Sequence, residues 1–459
     1  MKRILLENIN IFNPEDSSIK HNQNILIEND FIKSISSVPE IDVEKIDCSG
    51  KYAIAGMFEC HAHLAYLTST NRKLQNEILG QNAEKKQKWN DFVSIQLKGF
   101  LKRGITQVRD VGGPIDNLNE LNNKILNNQL AGPEIFYSGP MLEGSPLTWK
   151  KSNLSLPGFT VAIDTTEDLK MLDDLKSKGA SLIKTFGKFD KDVYKKLLKK
   201  AKSLNLPVTH DPGAPLYNSI PMDYAISEGI TCIEHAKAPL PCILIPALQS
   251  RHDSLVDEII ALRKTNPQFK LSKKMKLEAQ SIFLQICKLK EQVICEEKLA
   301  DLIKKTLAED FYFCPTLNVW ETFLDEFNSK NPFKKILFFF MRKKIDFMKL
   351  IKLLNNIFIK KMVKAGTKIL VGQDGHSPEN TYKEMKLLYE AGLSIAEIIK
   401  GATIYPARWL KVDHLYGSIS PLKKANICIL NSNPLLSLEN INDIFMVFKK
   451  GNIVYKKYS

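Results

Sequence analysis

Two histidines separated by one residue, His61-Ala62-His63, close an apolar run, and that spacing suits a single cation. In an extended strand residues i and i+2 point the same way, so both imidazoles can converge on one ion. The chain has eight histidines, the others being His21, His210, His235, His252, His376 and His414. Of these, His210 in PVTHDPG and His235 in CIEHA end short apolar runs of the same kind, and His376 lies just beyond another. Lys184 interrupts the apolar run SLIKTF, where an ammonium group has no packing role. Asp374 follows KILVGQ directly. A hydrogen-bonded core histidine or a helix-capping aspartate accounts for any one of these positions alone. Four histidines, a lysine and an aspartate, all at or within such runs, point together to metal-assisted chemistry.

The elements that must carry these residues are legible as alternating segments. Eight candidate strands stand in the middle of the chain: YAIAGMFEC, ITQVRDV, EIFYSG, SLIKTF, PVTH, CIEH, FYFCPT and KILVGQ. Helical periodicity separates most of them, as in LKMLDDLKSKG and KDVYKKLLKKAKSLN. Strands alternating with helices imply βαβ units and parallel pairing, and eight of them imply an α/β fold of the closed (β/α)8 TIM-barrel type. Barrel enzymes keep their catalytic groups at the C-terminal strand ends, where these residues fall. The two ends of the chain read differently. ILLENINIF, NILIEND and FIKSISS at the start, with ANICILN, DIFMVFKKG and NIVYKK at the end, predict a small β-sandwich domain built from residues 1–54 and 412–459. The barrel then occupies 55–411, with helical insertions at about 238–310 and 320–362 that are candidates for a pocket wall or lid.

Composition sets bounds on the rest. With 459 residues, 44% of them hydrophobic and 25% charged, the chain can bury a core large enough to enclose a site. The net charge of +14 comes mainly from lysines spread along helical stretches, which reads as a solvated surface. Arginine and aromatic residues interleaved in one patch would mark a nucleic-acid reader, and no such patch stands out, so no nucleic-acid partner is expected. The eight cysteines contain no Cys-x-x-Cys pair and read as reduced, mostly buried residues. The start shows no sustained apolar stretch, and the run 336–341 (ILFFFM) is cut short by lysines and Arg342, so a cytoplasmic protein without a membrane span is expected. A homo-oligomer remains open.

GKYAIAGMFECHAH, RGITQVRDVGG, SLIKTFG, PVTH, CIEHA and VGQDG, in that order, resemble the signatures of the amidohydrolase superfamily. EAGLSIAEIIKGATIYPARWL, YGSISPLKKANICILNSNPL and VFKKGNIVY extend the likeness to the tail, and the subgroup it is most similar to is the imidazolonepropionase-like amidohydrolases that include Xaa-Pro dipeptidases (prolidases). The resemblance implies two divalent cations, with zinc the expected metal. His61, His63 and Asp374 would hold the first, His210 and His235 the second, and a carboxylated Lys184 would bridge them. An ammonium group has no lone pair, so that lysine can ligate only after carbon dioxide has added to its neutral amine. Hydroxide held between the metals would attack the carbonyl of a small-molecule substrate, while Asp374 moves its proton to the leaving amine. The outcome is cleavage of an amide or other C–N bond. Arg109 and Asp110 fit the pattern as braces of a strand end; Tyr217, Asn318, Glu321 and His376 are candidates to touch substrate.

This sequence also departs from the pattern. Gln373-Asp374-Gly375 replaces the usual threonine-flanked aspartate, and Asp211-Pro212 follows His210 where relatives carry alanine and a second polar residue. Lys184 argues against a one-metal imidazolonepropionase. A lactonase or phosphotriesterase-type hydrolase would use the same two-metal site, and a catalytically inactive scaffold would be expected to have lost ligands that are all filled here.

Overall fold

The apolar alternation at the two ends of the chain resolves into one sheet. In the computed structural model, which describes residues 2–36, 43–64, 82–148, 158–213, 219–266, 270–308, 310–327 and 332–457, this sheet has eight strands. Arg3–Asn13, Ser18–Glu28, Phe31–Ser36, Glu44–Asp47 and Tyr52–Ala55 come from the start; Ile427–Leu430, Ile444–Lys449 and Asn452–Lys456 come from the end. Tyr52–Ala55 joins the halves, running parallel to Arg3–Asn13 and antiparallel to Ile427–Leu430. Alternate residues such as Ile4, Leu6, Ile25, Ile27, Ile427, Ile429, Met446 and Phe448 share one apolar core, as period-two patterning requires. The intervening Leu5, Leu26, Ile54, Cys428 and Val447 are buried too, so both faces are covered. The strands expected from the two ends of the chain therefore hydrogen-bond into one continuous sheet around a common core.

Two compact units divide the chain. One comprises Met1–Asp110, Asn117–Phe136 and Ile369–Ser459, and the other comprises Val111–Asp116 and Tyr137–Lys368. Besides the terminal sheet, the first unit holds a three-stranded sheet in the order Met57–Ala62, Ile105–Asp110, Glu134–Tyr137. YAIAGMFEC, expected as one strand, is two: the chain leaves the terminal sheet at Gly56 and starts afresh at Met57. A side chain at Gly56 would strike Thr106, so the crossing needs glycine. KILVGQ forms no regular strand but runs extended beside Met57–Ala62. Cys60 N–H donates to the Val371 carbonyl, Asp374 N–H to that of His61, and His63 N–H to that of Gly375. The site-bearing end of this segment is thus fixed by the His61–His63 backbone itself.

The second unit is a six-stranded sheet in the order Thr160–Ala162, Met141–Glu143, Ile183–Phe186, Val208–Asp211, Cys232–Glu234, Tyr312–Cys314, with every pair parallel. Met141–Glu143 and Thr160–Ala162, three residues each, are strands that the sequence pattern did not single out. Helices connect the strands. Lys191–Ser203 starts at Asp190, whose side chain accepts from the Asp192 and Val193 N–H groups, and buries Val193, Leu197 and Ala201 at a spacing of four. The expected insertions are helical as well: Pro246–Thr265, Lys273–Leu289 and Glu296–Lys305 in one, Leu317–Phe327 and Pro332–Ala365 around the other. The architecture is mixed α/β with parallel sheets. Among the described residues no helix is long and apolar enough to cross a membrane; the side chains of 336–341 lie outside the described residues.

Lys449 is buried in the terminal sheet, where its ammonium donates to the Gly132 carbonyl. Burial pushes its pKa down to about 8 from 10.5. Between those values the unfolded chain binds the proton and the folded chain does not, so stability should rise with pH across that window. One such group adds at most about 1.4 kcal/mol per pH unit. Urea midpoints of the parent and Lys449→Met between about pH 8 and 10.5 test this; the variant should lose part of the rise, and equal slopes would contradict it.

Candidate metal centre

In the first unit, His61 and His63 end the strand Met57–Ala62 and Asp374 ends the extended segment beside it. His61 Nε2 lies 3.6 Å and His63 Nε2 3.3 Å from Asp374 Oδ1, and one ligand atom from each of the three lies within 4.8 Å of the others. The imidazoles are buried and set edge to face, with ring centres 5.3 Å apart. Two imidazole nitrogens and a carboxylate oxygen at these separations match the donor types and reach that a divalent transition metal requires. Asp374 reaches its place through a left-handed backbone, φ 57°, a conformation that aspartate tolerates better than most residues. The surroundings hold this geometry. Arg109 donates through Nε to the Cys60 carbonyl and stacks its guanidinium on Trp409, while Asp110 Oδ2 accepts from Leu64 N–H at 2.6 Å. The pair therefore grips the histidine segment from both ends, which is the bracing expected of Arg109 and Asp110.

Glu59 is a residue that the sequence did not single out. It is fully buried, and its Oε1 accepts from the backbone N–H groups of His61 at 2.8 Å and Gln373 at 2.9 Å, while Oε2 accepts from Thr381 Oγ1 at 2.7 Å. Burial pushes its carboxyl up to about 7 against these three donors and Arg109, which pull it down. One side chain thus ties the histidine strand to the residue before Asp374. The sequence signal was available: a glutamate inside MFECHA has as little packing reason to be there as Lys184 has in SLIKTF. His376 sits beside this group. Its ring packs on Phe92 at 5.2 Å, burial together with His63 pushes its pKa down to about 4, and its Nδ1 has no hydrogen-bond partner among the described residues.

In the second unit, Lys184, Asp211 and His235 gather on one face of the parallel sheet. Lys184 pairs in register with Thr209, so Lys184, Thr209 and Asp211 point to the same side, and Thr209 Oγ1 donates to Glu234 on that side. The Lys184 Nζ is buried and has no hydrogen-bond partner among the described residues. A buried ammonium left so costs several kcal/mol, on the order of the penalty for an unpaired buried charge, whereas a carbamate on that nitrogen would bring two anionic oxygens for a cation. The lysine environment therefore fits the modification. His235 Nε2 lies 2.9 Å from Asp211 Oδ2, and its Nδ1 bonds Thr316 Oγ1 at 2.7 Å. Burial pushes the Asp211 carboxyl up, but His235, Lys237 and Lys184 outweigh it and hold the group well below the usual range. His235 and Thr316 both have positive φ, 71° and 48°, and the β-branched threonine is the more costly of the two. Such strain persists where surrounding contacts over-determine it, as at ligand clamps.

His210 does not face this group, contrary to expectation. It pairs in register with Thr185, on the opposite face of the sheet, where Tyr194 of the helix Lys191–Ser203 packs edge-on against its ring at 5.5 Å. Its Nε2 contacts the Ile220 carbonyl at 2.9 Å and its Nδ1 the Thr185 hydroxyl at 2.8 Å. Burial pushes its pKa down to about 4, so it is neutral at pH 7, with its one proton on the nitrogen that faces the carbonyl. It anchors the sheet to its helix. Of the substrate candidates, Asn318 is buried at the start of the helix Leu317–Phe327, Glu321 pairs with Lys352, and Tyr217 lies outside the described residues.

The Amidohydrolase family model matches residues 355–454 of this chain. The 5-methylthioadenosine/S-adenosylhomocysteine deaminase of Dictyoglomus turgidum is 45% identical over 67 residues, which is 14% of this chain and 15% of that protein. In three dimensions the likeness runs the whole length. A crystal structure of an amidohydrolase covers 100% of both chains at 19% identity and a TM-score of 0.71. The fold is that of the amidohydrolases. A Xaa-Pro dipeptidase with methionine bound in its active site superimposes over 99% of this chain and 100% of its own, at 17% identity and a TM-score of 0.71. The likeness in motifs is therefore matched by a likeness in backbone fold.

Replacing Glu59 orphans two buried N–H groups, each worth about 1–3 kcal/mol. Glu59→Leu should lower stability by roughly 2–4 kcal/mol in urea unfolding, whereas Glu59→Gln, which keeps an acceptor oxygen, should lose less. Equal losses in the two variants would mean that the carboxylate only fills space.

Proposed function

We propose that this protein is a metal-dependent hydrolase that cleaves a carbon–nitrogen bond of a small molecule, with a dipeptide or N-acyl amino acid as the substrate class. The observation that carries it is the His61–His63–Asp374 group, where three donors meet within 4.8 Å on backbone held by Glu59, Arg109 and Asp110. His61, His63 and Asp374 would hold one cation, zinc in the first instance, and Lys184 as a carbamate would serve a second with His235. A bound cation supplies two things at such a site: it polarises the scissile carbonyl and makes water acidic enough to attack near neutral pH.

The chain's own groups do the rest. Asp374, whose side chain is 18% exposed, is the more open member of its group and would take the proton of the attacking water on a carboxylate oxygen. It then returns that proton to the leaving nitrogen, which cannot depart as an amide anion. His376, beside His63 with Nδ1 open, would orient a polar group of the substrate. Deamination and dipeptide cleavage are both hydrolyses at a carbon–nitrogen bond, so the deaminase and dipeptidase likenesses support one reaction class. Closure of the strands into a (β/α)8 barrel is supported by the same likenesses and by the parallel order within the sheets.

Three measurements test this. Turnover of a panel of dipeptides, including Xaa-Pro, and N-acyl amino acids should disappear on chelation and return with zinc. Asp374→Asn should lower kcat by about 10²–10⁴-fold, the usual contribution of a positioned proton-transfer group. Lys184→Ala, purified with zinc and bicarbonate, should hold fewer metal ions than the parent. Turnover that survives complete metal removal would overturn the proposal.

A further inference from the structure

We infer that Asp211, and not His210, is the cation ligand supplied by the strand Val208–Asp211, where it joins Lys184 and His235; the inference rests on the metal-dependent reading above. Adjacent strand residues face opposite ways, so VTHD can send only one of the two toward Lys184. The register decides which: Lys184 pairs with Thr209 and Thr185 with His210, which puts Asp211 on the lysine side and His210 on the helix side. The neighbouring pairing of His210 with Ile233 agrees, as does the Thr209–Glu234 hydrogen bond across the lysine face.

The hydrogen bonds of the two candidates point the same way. A carbonyl oxygen can only accept, so the contact with Ile220 places a proton on His210 Nε2, and a protonated ring nitrogen cannot ligate. Its remaining lone pair, on Nδ1, faces the Thr185 hydroxyl. Turning the ring toward the lysine side would break both contacts and the packing on Tyr194. Asp211 is already placed: Oδ1 accepts from Gly213 N–H at 2.7 Å, and Oδ2 stands 2.9 Å from His235 Nε2. That pairing of a carboxylate oxygen with an imidazole nitrogen resembles the 3.3 Å approach of Asp374 to His63 in the other group. In both, a cation would take the place of a proton between them. The consequence is chemical. A carboxylate in place of an imidazole makes the set harder and more anionic, which raises its affinity for manganese or iron(II) relative to an imidazole-rich set.

Metal content of the full-length chain, purified with zinc and bicarbonate and dialysed, decides the matter when compared among parent, Asp211→Asn and His210→Gln. Far-UV circular dichroism checks that each is folded, and the visible spectrum of the cobalt-substituted forms reports the ligand field. The expected result is about two ions per chain in the parent, about one in Asp211→Asn, and the parental number with an unchanged cobalt spectrum in His210→Gln. Should His210→Gln not fold, Asp211→Glu takes its place: an oxygen ligand there should recover metal that Asp211→Asn loses. Two ions retained by Asp211→Asn, or one lost from a folded His210→Gln, would overturn the inference and leave the metal-dependent reading standing. A folded parent without metal would overturn that reading itself.

Discussion

Alternation along a β-strand is the constraint on which the rest of this structure depends. A strand offers each side chain only two directions, and pairing to its neighbour fixes which of the two is the site side. His61 and His63 share a side because they are two apart; Lys184, Thr209 and Asp211 share one because Lys184 and Thr209 are in register. A slip of one residue between Ile183–Phe186 and Val208–Asp211 would exchange Asp211 for His210 and send the aspartate into the Tyr194 packing. The apolar residues on the helix side, with Val193, Leu197 and Ala201 of the helix Lys191–Ser203 buried against the sheet, make that slip expensive. Core packing therefore selects the ligands.

Buried polar groups then convert a correct register into a rigid site. Glu59, Arg109 and Asp110 are all fully buried, and each has hydrogen bonds to the backbone around His61–His63. Asp374, His235 and Thr316 accept positive φ angles that only such surroundings maintain. Charged groups without water are costly unless satisfied, so the same interactions that orient the ligands also remove the penalty of burying their supports.

Much of this was legible in the sequence, for local reasons. The His-x-His spacing is a two-residue property, and Lys184 stands out because lysine is rare inside an apolar run. The terminal strands show clean alternation, and both ends of the chain do meet in one sheet. What escaped was non-local. YAIAGMFEC looks continuous, yet close approach to Thr106 breaks it at Gly56; KILVGQ looks like a strand, yet its bonds go irregularly to Cys60, Gly401 and the His61–His63 loop. In VTHD the histidine is the more familiar ligand, so chemistry favoured His210, while the register that turns it away lies in another strand. Glu59 does not stand out as a ligand because its role is to hold the backbone beside the residues that could bind a cation, through partners 2 and 314 positions away.

The most direct test of the account is a crystal structure of the protein grown with zinc and bicarbonate, with anomalous data collected on both sides of the zinc edge. The account predicts an anomalous peak among His61, His63 and Asp374, a second touching Asp211 and His235, and density for a carbamate on the Lys184 Nζ. Zinc bound elsewhere, with these six residues keeping only protein partners, would contradict it.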